Sequence, residues 1–128
     1  MKIYNAIKFG PLMMLKAYIK GPEANSYPRM LIDTGAAVTI IAQEILESIG
    51  CSPASASERK RIVTSSGYEI FPVVHILEIN CCGCLIKNYP VVAHTLPFGT
   101  YANGLLGMDF FSQFEIDIKP FSKEILVW

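Results

Sequence analysis

Apolar residues in this chain come in short runs broken by turn formers, a layout that predicts many strands and little helix. Residues 12–20 mix aliphatic and aromatic side chains with spaced lysines, and the turn-rich segment 21–26 follows. Met30 to Ile32 then reads as a buried strand, and the β-branched run Val38-Thr39-Ile40-Ile41 as a second extended piece. Across residues 42–49 the period changes: Ile45, Leu46 and Ile49 recur at helical spacing and Gly50 is placed to end the helix. Residues 51–60 are small and polar, which predicts a loop.

Further along, residues 61–74 predict a β-hairpin with Ser65-Ser66-Gly67 near its tip. Residues 75–80 and 84–93 predict a second hairpin, with Cys82-Gly83 as its tight turn. A loop is expected over 96–103, followed by the apolar pair Leu105-Leu106 and Gly107. A short helix over 108–114, a strand over 115–118, a turn at Lys119-Pro120 and a final strand over 124–128 complete the chain. The expected fold class is therefore mainly β: a small closed or partly closed barrel with one principal α-helix.

With 128 residues the chain holds one domain, expected to span 1–128, and is too short for two lobes of ordinary size. Met1 and the lack of linker-like composition favour a complete protein. Eleven basic and eleven acidic residues balance to zero net charge, so no electrostatic footprint argues for nucleic acid or an anionic membrane as partner. Apolar residues make up 52% of the chain and charged residues 17%, so some apolar surface is expected to be buried between subunits. No apolar run approaches the roughly 18 residues that span a bilayer, and Lys16 interrupts the run that a secretory leader would need. Cys81, Cys82 and Cys84 cluster while Cys51 stands apart. A disulfide framework would spread its cysteines to close long loops, so reduced thiols and a cytoplasmic location are expected.

The densest chemical signal is Leu31-Ile32-Asp33-Thr34-Gly35-Ala36, where an apolar strand delivers a lone carboxylate into a Thr-Gly turn. Gly35 is expected to let the backbone turn tightly. The tripeptide alone is weak, because its residues are ordinary turn formers; the strand before it, the β-branched run after it and Leu105-Leu106-Gly107 later make it specific. Cys81 and Cys84 lack the second ligand pair of a structural zinc site, so no metal or cofactor is expected. His75 and His94 read as structural or surface residues, Met13-Met14 as core, and Thr64-Ser65-Ser66 as a solvated tip with no base to activate a serine. Tyr68 suits either a substrate contact or burial against the barrel.

In this order the Asp33-Thr34-Gly35-Ala36 turn, the polar hairpin and Leu105-Leu106-Gly107 resemble the retropepsin-like aspartic proteases, with the bacterial single-domain members closest because of Gly107-Met108-Asp109-Phe110. The resemblance implies a retropepsin-like acid protease barrel from about residue 12 onward. Asp33 is then the catalytic residue, Thr34, Gly35 and Ala36 support it, and Leu105, Leu106 and Gly107 form the active-site floor. Hairpin 61–74 is a flap whose residues Thr64, Ser65, Ser66, Gly67 and Tyr68 meet substrate.

The family's chemistry needs two carboxylates sharing one proton. This chain carries one such motif, Asp109 and Asp117 lacking the turn that follows Asp33, so the resemblance implies a homodimer in which two Asp33 residues activate water against a peptide or protein substrate. Thr34 would bond to the other subunit's turn. Viral members carry an acid and an arginine where this chain has Ala37 and Met108, so apolar packing is expected to replace that ion pair. The apolar last strand is expected to enter a dimer sheet. The rival reading is a non-catalytic dimeric module that holds extended peptides by strand addition.

Overall fold

The computed structural model describes residues 1–96 and 101–128; the middle of the loop expected over 96–103 lies outside the described residues. Thirteen strands and two short α-helices account for the regular structure of those residues, which matches the mainly β expectation. The chain opens with β1 (Lys2–Asn5) and β2 (Ile7–Phe9), continues through β3 (Leu12–Lys16), β4 (Tyr18–Lys20) and the two-residue β5 (Asn25–Ser26), and reaches β6 (Arg29–Ile32). Next come β7 (Ile40–Ile41), α1 (Gln43–Ser48), a single 3-10 turn (Pro53–Ser55), and the long hairpin strands β8 (Glu58–Thr64), β9 (Gly67–Cys81) and β10 (Cys84–Ala93). The last elements are β11 (Gly104–Leu106), α2 (Met108–Phe111), β12 (Ile116–Lys119) and β13 (Glu124–Val127).

These strands form two sheets. The larger runs β2-β3-β6-β11-β7-β10-β9-β4-β5, with β8 added on β9, and its ends do not meet. It is therefore the partly closed form of the expected barrel. Its core is built from alternate positions of the strands, including Met30, Ile41, Ile76, Ile79, Val91 and Leu106, with Leu46 and Ile49 packed in from α1. The helix ends as expected: Gly50 takes φ +88° and its N–H bonds to the Glu47 carbonyl at 3.1 Å. Met13 and Met14 are buried, as the sequence suggested.

Two expectations about the chain ends change. Strands β1 and β2 were not foreseen, because residues 2–9 show no clean alternation and lie mostly exposed. Their consequence reaches the carboxyl end. β1 pairs with β13 through Lys2↔Val127 to Asn5↔Glu124, and β12 pairs with its other side. The last strand is thus the centre of a three-stranded sheet within one chain, not an unpaired edge awaiting a partner. The loop expected over 51–60 is also shorter, since β8 begins at Glu58, where it meets Val73 of β9.

Candidate active site

The sequence from β6 to β7 wraps around a strand from much later in the chain. β11 lies between them, parallel to β6 through Met30↔Gly104, Leu31↔Leu105 and Ile32↔Leu106, and antiparallel to β7 through Gly104↔Ile41 and Leu105↔Ile40. Residues 33–39 must therefore cross over the end of β11. Backbone bonds stitch the crossing on both sides: the Asp33 N–H donates to the Leu106 carbonyl at 3.1 Å, and the Met108 N–H to the Ala36 carbonyl at 2.8 Å. Gly107 is required where the two segments touch. A Cβ there would stand 2.9 Å from the Ala36 carbonyl oxygen and closer still to that of Val38.

This crossing holds Asp33 rigidly at the surface. Its carbonyl accepts the Ala36 N–H at 3.2 Å, and its carboxylate Oδ1 accepts the Gly35 N–H at 3.0 Å. The second carboxylate oxygen has no hydrogen-bond partner among the described residues, and the residue is half-buried. One oxygen is thus anchored while the other is open to a reactant. Gly35 does not take the left-handed backbone conformation of the turn glycines elsewhere in the chain. Its small size matters instead, because a Cβ would sit 3.3 Å from Asp33 Oδ1. Thr34 is exposed, and its hydroxyl has no partner among the described residues.

Beneath the crossing lies a polar cluster that the sequence reading passed over. Thr39 is fully buried, and it donates its hydroxyl to Asp109 Oδ1 at 2.8 Å and its N–H to Asp109 Oδ2 at 3.2 Å. With its one proton committed to Asp109, the Thr39 oxygen accepts from the Tyr89 hydroxyl at 2.9 Å and from the Gly107 N–H at 3.2 Å. Every lone pair and proton of this buried hydroxyl is used. The cluster ties the segment before β7 to β10, to the end of β11 and to α2. Burial is the main reason that the Tyr89 hydroxyl is pushed well above the ordinary tyrosine range, with Asp109 nearby adding to the effect. The available signal was Asp109 itself, an acid two residues after the motif glycine. It was dismissed as a catalyst, and it serves as a brace.

Facing Asp33's turn is the hairpin of β8 and β9, whose register closes at Thr64↔Gly67. A cleft of about 330 Å³ separates the two, walled by Gly35, Ala36, Ala37, Val38 and Ile40 below and by Lys60 to Val63 above. A second hollow of similar size shares Ala37, Val38 and Lys60 with it and extends toward Pro90–Val92. The residues after Asp33 and the body of β8 therefore face one cleft. The wall comes from the body of β8; the tip residues Ser65, Ser66, Gly67 and Tyr68 are exposed. Tyr68 is not buried against the barrel, and the Arg61 guanidinium lies over its ring at 5.1 Å. Leu106 and Gly107 are buried and Leu105 half-buried, under the turn.

Both histidines lie off this cleft. His75 is exposed and meets Glu58 at 3.1 Å, and the ring of His94 stacks at a tilt on Phe71. Among the described residues no group of three His, Cys, Asp or Glu side chains is arranged to hold a metal ion, and no helix is long and apolar enough to cross a membrane.

Comparison with known proteins agrees with this geometry. The structure of a retropepsin-like aspartic protease from Rickettsia conorii superimposes with a TM-score of 0.73 at 15% identity, covering 98% of this chain and 91% of that one. The Simian Foamy Virus (mac) protease matches with a TM-score of 0.52 at 21% identity, over 77% of this chain and 91% of its own. At these identities the likeness is one of fold. No curated protein matches the chain. The family described as gag-polyprotein putative aspartyl protease matches residues 19–113, which include the Asp33 turn, the hairpin and the Leu105-Leu106-Gly107 crossing. The chain is a member of that aspartyl protease family, with a retropepsin-like fold.

Proposed function

We propose that this protein is an aspartic endopeptidase that works as a homodimer, with one Asp33 from each copy. The observation that carries the reading is the crossing at Asp33: a carboxylate fixed by a buried brace, one oxygen bonded to the Gly35 N–H and the other open, below a hairpin that can cover an extended peptide. A single carboxylate of this kind can accept a proton from water, yet peptide hydrolysis also needs an acid to polarise the scissile carbonyl. A second Asp33 supplies it. Two such groups at close range cannot both ionise, so the pair keeps one proton and titrates as a unit.

In the proposed cycle the ionised Asp33 takes a proton from a water molecule while the protonated one donates a hydrogen bond to the carbonyl oxygen. The roles reverse as the tetrahedral intermediate collapses and the amine leaves with a proton. No covalent intermediate arises, and no metal or other cofactor is called on. The exposed Thr34 hydroxyl, without a partner among the described residues, supports this reading, being available to brace the turn of a second copy. Ala36 and the β8 wall would hold the substrate backbone, with Thr64 to Tyr68 closing over it. Activity is expected to be highest at acid to mildly acidic pH, where the shared proton is retained.

The test is incubation with a peptide library, comparing wild type with Asp33→Asn. Cleavage by the wild type that vanishes in the variant supports the enzyme. Equal binding of extended peptides by both, with no cleavage by either, would instead favour a binding module.

A further inference from the structure

Where β1 of the small sheet approaches β3, β4 and β9 of the large one, the surface holds a hollow of about 500 Å³. It shares no lining residue with the cleft beside the Asp33 turn or with the hollow next to that cleft. Its walls are aromatic. Tyr4 comes from β1, Tyr18 from β4 and Tyr27 from the link between β5 and β6, and the Tyr18 and Tyr27 rings stand 5.4 Å apart at a tilt of 54°. Tyr27 is 64% exposed and the other two are half-buried. A tyrosine left at the surface offers a flat apolar face together with a hydroxyl, the two features that recognition surfaces combine.

The polar groups around these rings are unengaged. Among the described residues no hydrogen bond involves the hydroxyls of Tyr4, Tyr18 and Tyr27 or the side-chain amides of Asn5 and Asn80, which line the same hollow. Charge is unbalanced there too. Lys16 is the one charged residue of the described lining, and its direct partner across the β3–β6 pair is Arg29. Like charges set opposite one another weaken a strand pair. The Arg29 guanidinium lies over the Tyr101 ring at 4.3 Å and donates through Nε to the Tyr101 carbonyl at 3.1 Å. No carboxylate relieves either cation, since the ion pair of His75 with Glu58 is the only one among the described residues. A fitting ligand therefore brings a negative charge to Lys16, a flat apolar body to the tyrosine faces and carbonyl acceptors to the side-chain donors. A proline-rich segment with an acidic residue meets all three demands, because the polyproline II backbone leaves its carbonyls free, its rings lie on aromatic surfaces and its conformation is already fixed.

We propose that this hollow is a docking site for a proline-rich peptide segment that carries an acidic side chain toward Lys16. Prolines lie against the rings of Tyr18 and Tyr27, the hydroxyl of Tyr4 and the amides of Asn5 and Asn80 donate to peptide carbonyls, and the carboxylate offsets the repulsion between Lys16 and Arg29. Charge gives the site its selectivity and the tyrosines most of its affinity. The site does not involve Asp33, so it stands whether or not the protein cleaves peptides.

The experiment uses the full chain carrying Asp33→Asn, so that cleavage does not intervene, and follows the fluorescence anisotropy of three labelled peptides, built from repeated Pro-Pro-Glu, Pro-Pro-Lys or Gly-Ser-Glu triplets. The Pro-Pro-Glu peptide is expected to bind about fivefold or more tighter than either of the others. Adding Tyr27→Ala, which removes a ring outside the core, should weaken that binding about tenfold, and adding Lys16→Glu should turn the preference toward the Pro-Pro-Lys peptide. The proposal is overturned if the three peptides bind alike, if the Gly-Ser-Glu peptide binds best, or if none saturates below about 1 mM. It is overturned as well if binding is unchanged by Tyr27→Ala, which would put the peptide elsewhere, the cleft included, or if Lys16→Glu leaves the preference as it was. Circular dichroism checks that each variant is folded; one that fails is replaced by Tyr27→Gln or Lys16→Gln, the latter expected to abolish the preference between the Glu and Lys peptides.

Discussion

At Asp33 two physical demands meet, a fixed position and an open oxygen, and the residues around it divide them. Gly35 and the crossing backbone fix the carboxylate, while its second oxygen has no partner among the described residues. Replacing Asp33 by Asn keeps the shape and removes the base, so cleavage should fall by about 10²–10⁴-fold or more with no loss of thermal stability, as read by peptide hydrolysis and thermal melting. Thr39 answers a different demand, since its buried hydroxyl is the meeting point of Asp109, Tyr89 and Gly107. Thr39→Val keeps the volume but strips Asp109 of one donor and leaves the Tyr89 hydroxyl unpaired; the expected cost is about 1–3 kcal/mol in a urea titration. Tyr89 adds a pH signature. Its folded-state pKa is raised above the unfolded value of about 10, so between the two the native state holds the extra proton and stability falls as pH rises past about 10. Tyr89→Phe should flatten that alkaline fall, measured as the unfolding midpoint against pH beside the wild type.

Elements were legible where the residue pattern was periodic and uninterrupted. The helix ending at Gly50, the Cys82-Gly83 hairpin and the strand entering Asp33 all appear where the sequence points, because local spacing and turn chemistry decide them. The start of β8 at Glu58 was hidden by a polar run, Glu58-Arg59-Lys60-Arg61, which becomes strand only because β9 offers it a partner. β1 was hidden for the same reason: its pairing with β13 spans the whole chain, and no window of sequence contains both. The site shows the same division. Asp33 and Gly107 were readable from their motifs, whereas the Thr39–Asp109 contact joins residues 70 positions apart. The insertion of β11 between β6 and β7 makes a sharp demand on one residue of this crossing. Gly107→Ala places a methyl against the carbonyls of Ala36 and Val38, and it should destabilise the protein by about 1–3 kcal/mol through overpacking and reduce any cleavage by displacing the Asp33 turn.

For the molecule as a whole, the family and the fold are those of aspartyl proteases with a retropepsin-like architecture, and the chain carries one aspartate, Asp33, in an Asp-Thr-Gly turn. The proposed enzyme is therefore a property of two copies. β13 is already paired on both sides, so contact between copies must come from other surfaces, and the exposed Thr34 turn is where the two sites would meet. The most direct measurement mixes wild type with Asp33→Asn in varying proportions, allows subunits to exchange, and follows peptide cleavage per wild-type chain. If each site needs both Asp33 residues, mixed dimers are inactive, and at equal proportions the activity per wild-type chain falls by about half. Activity per wild-type chain that stays constant as the variant is added would mean that each copy works alone, and would contradict the shared site.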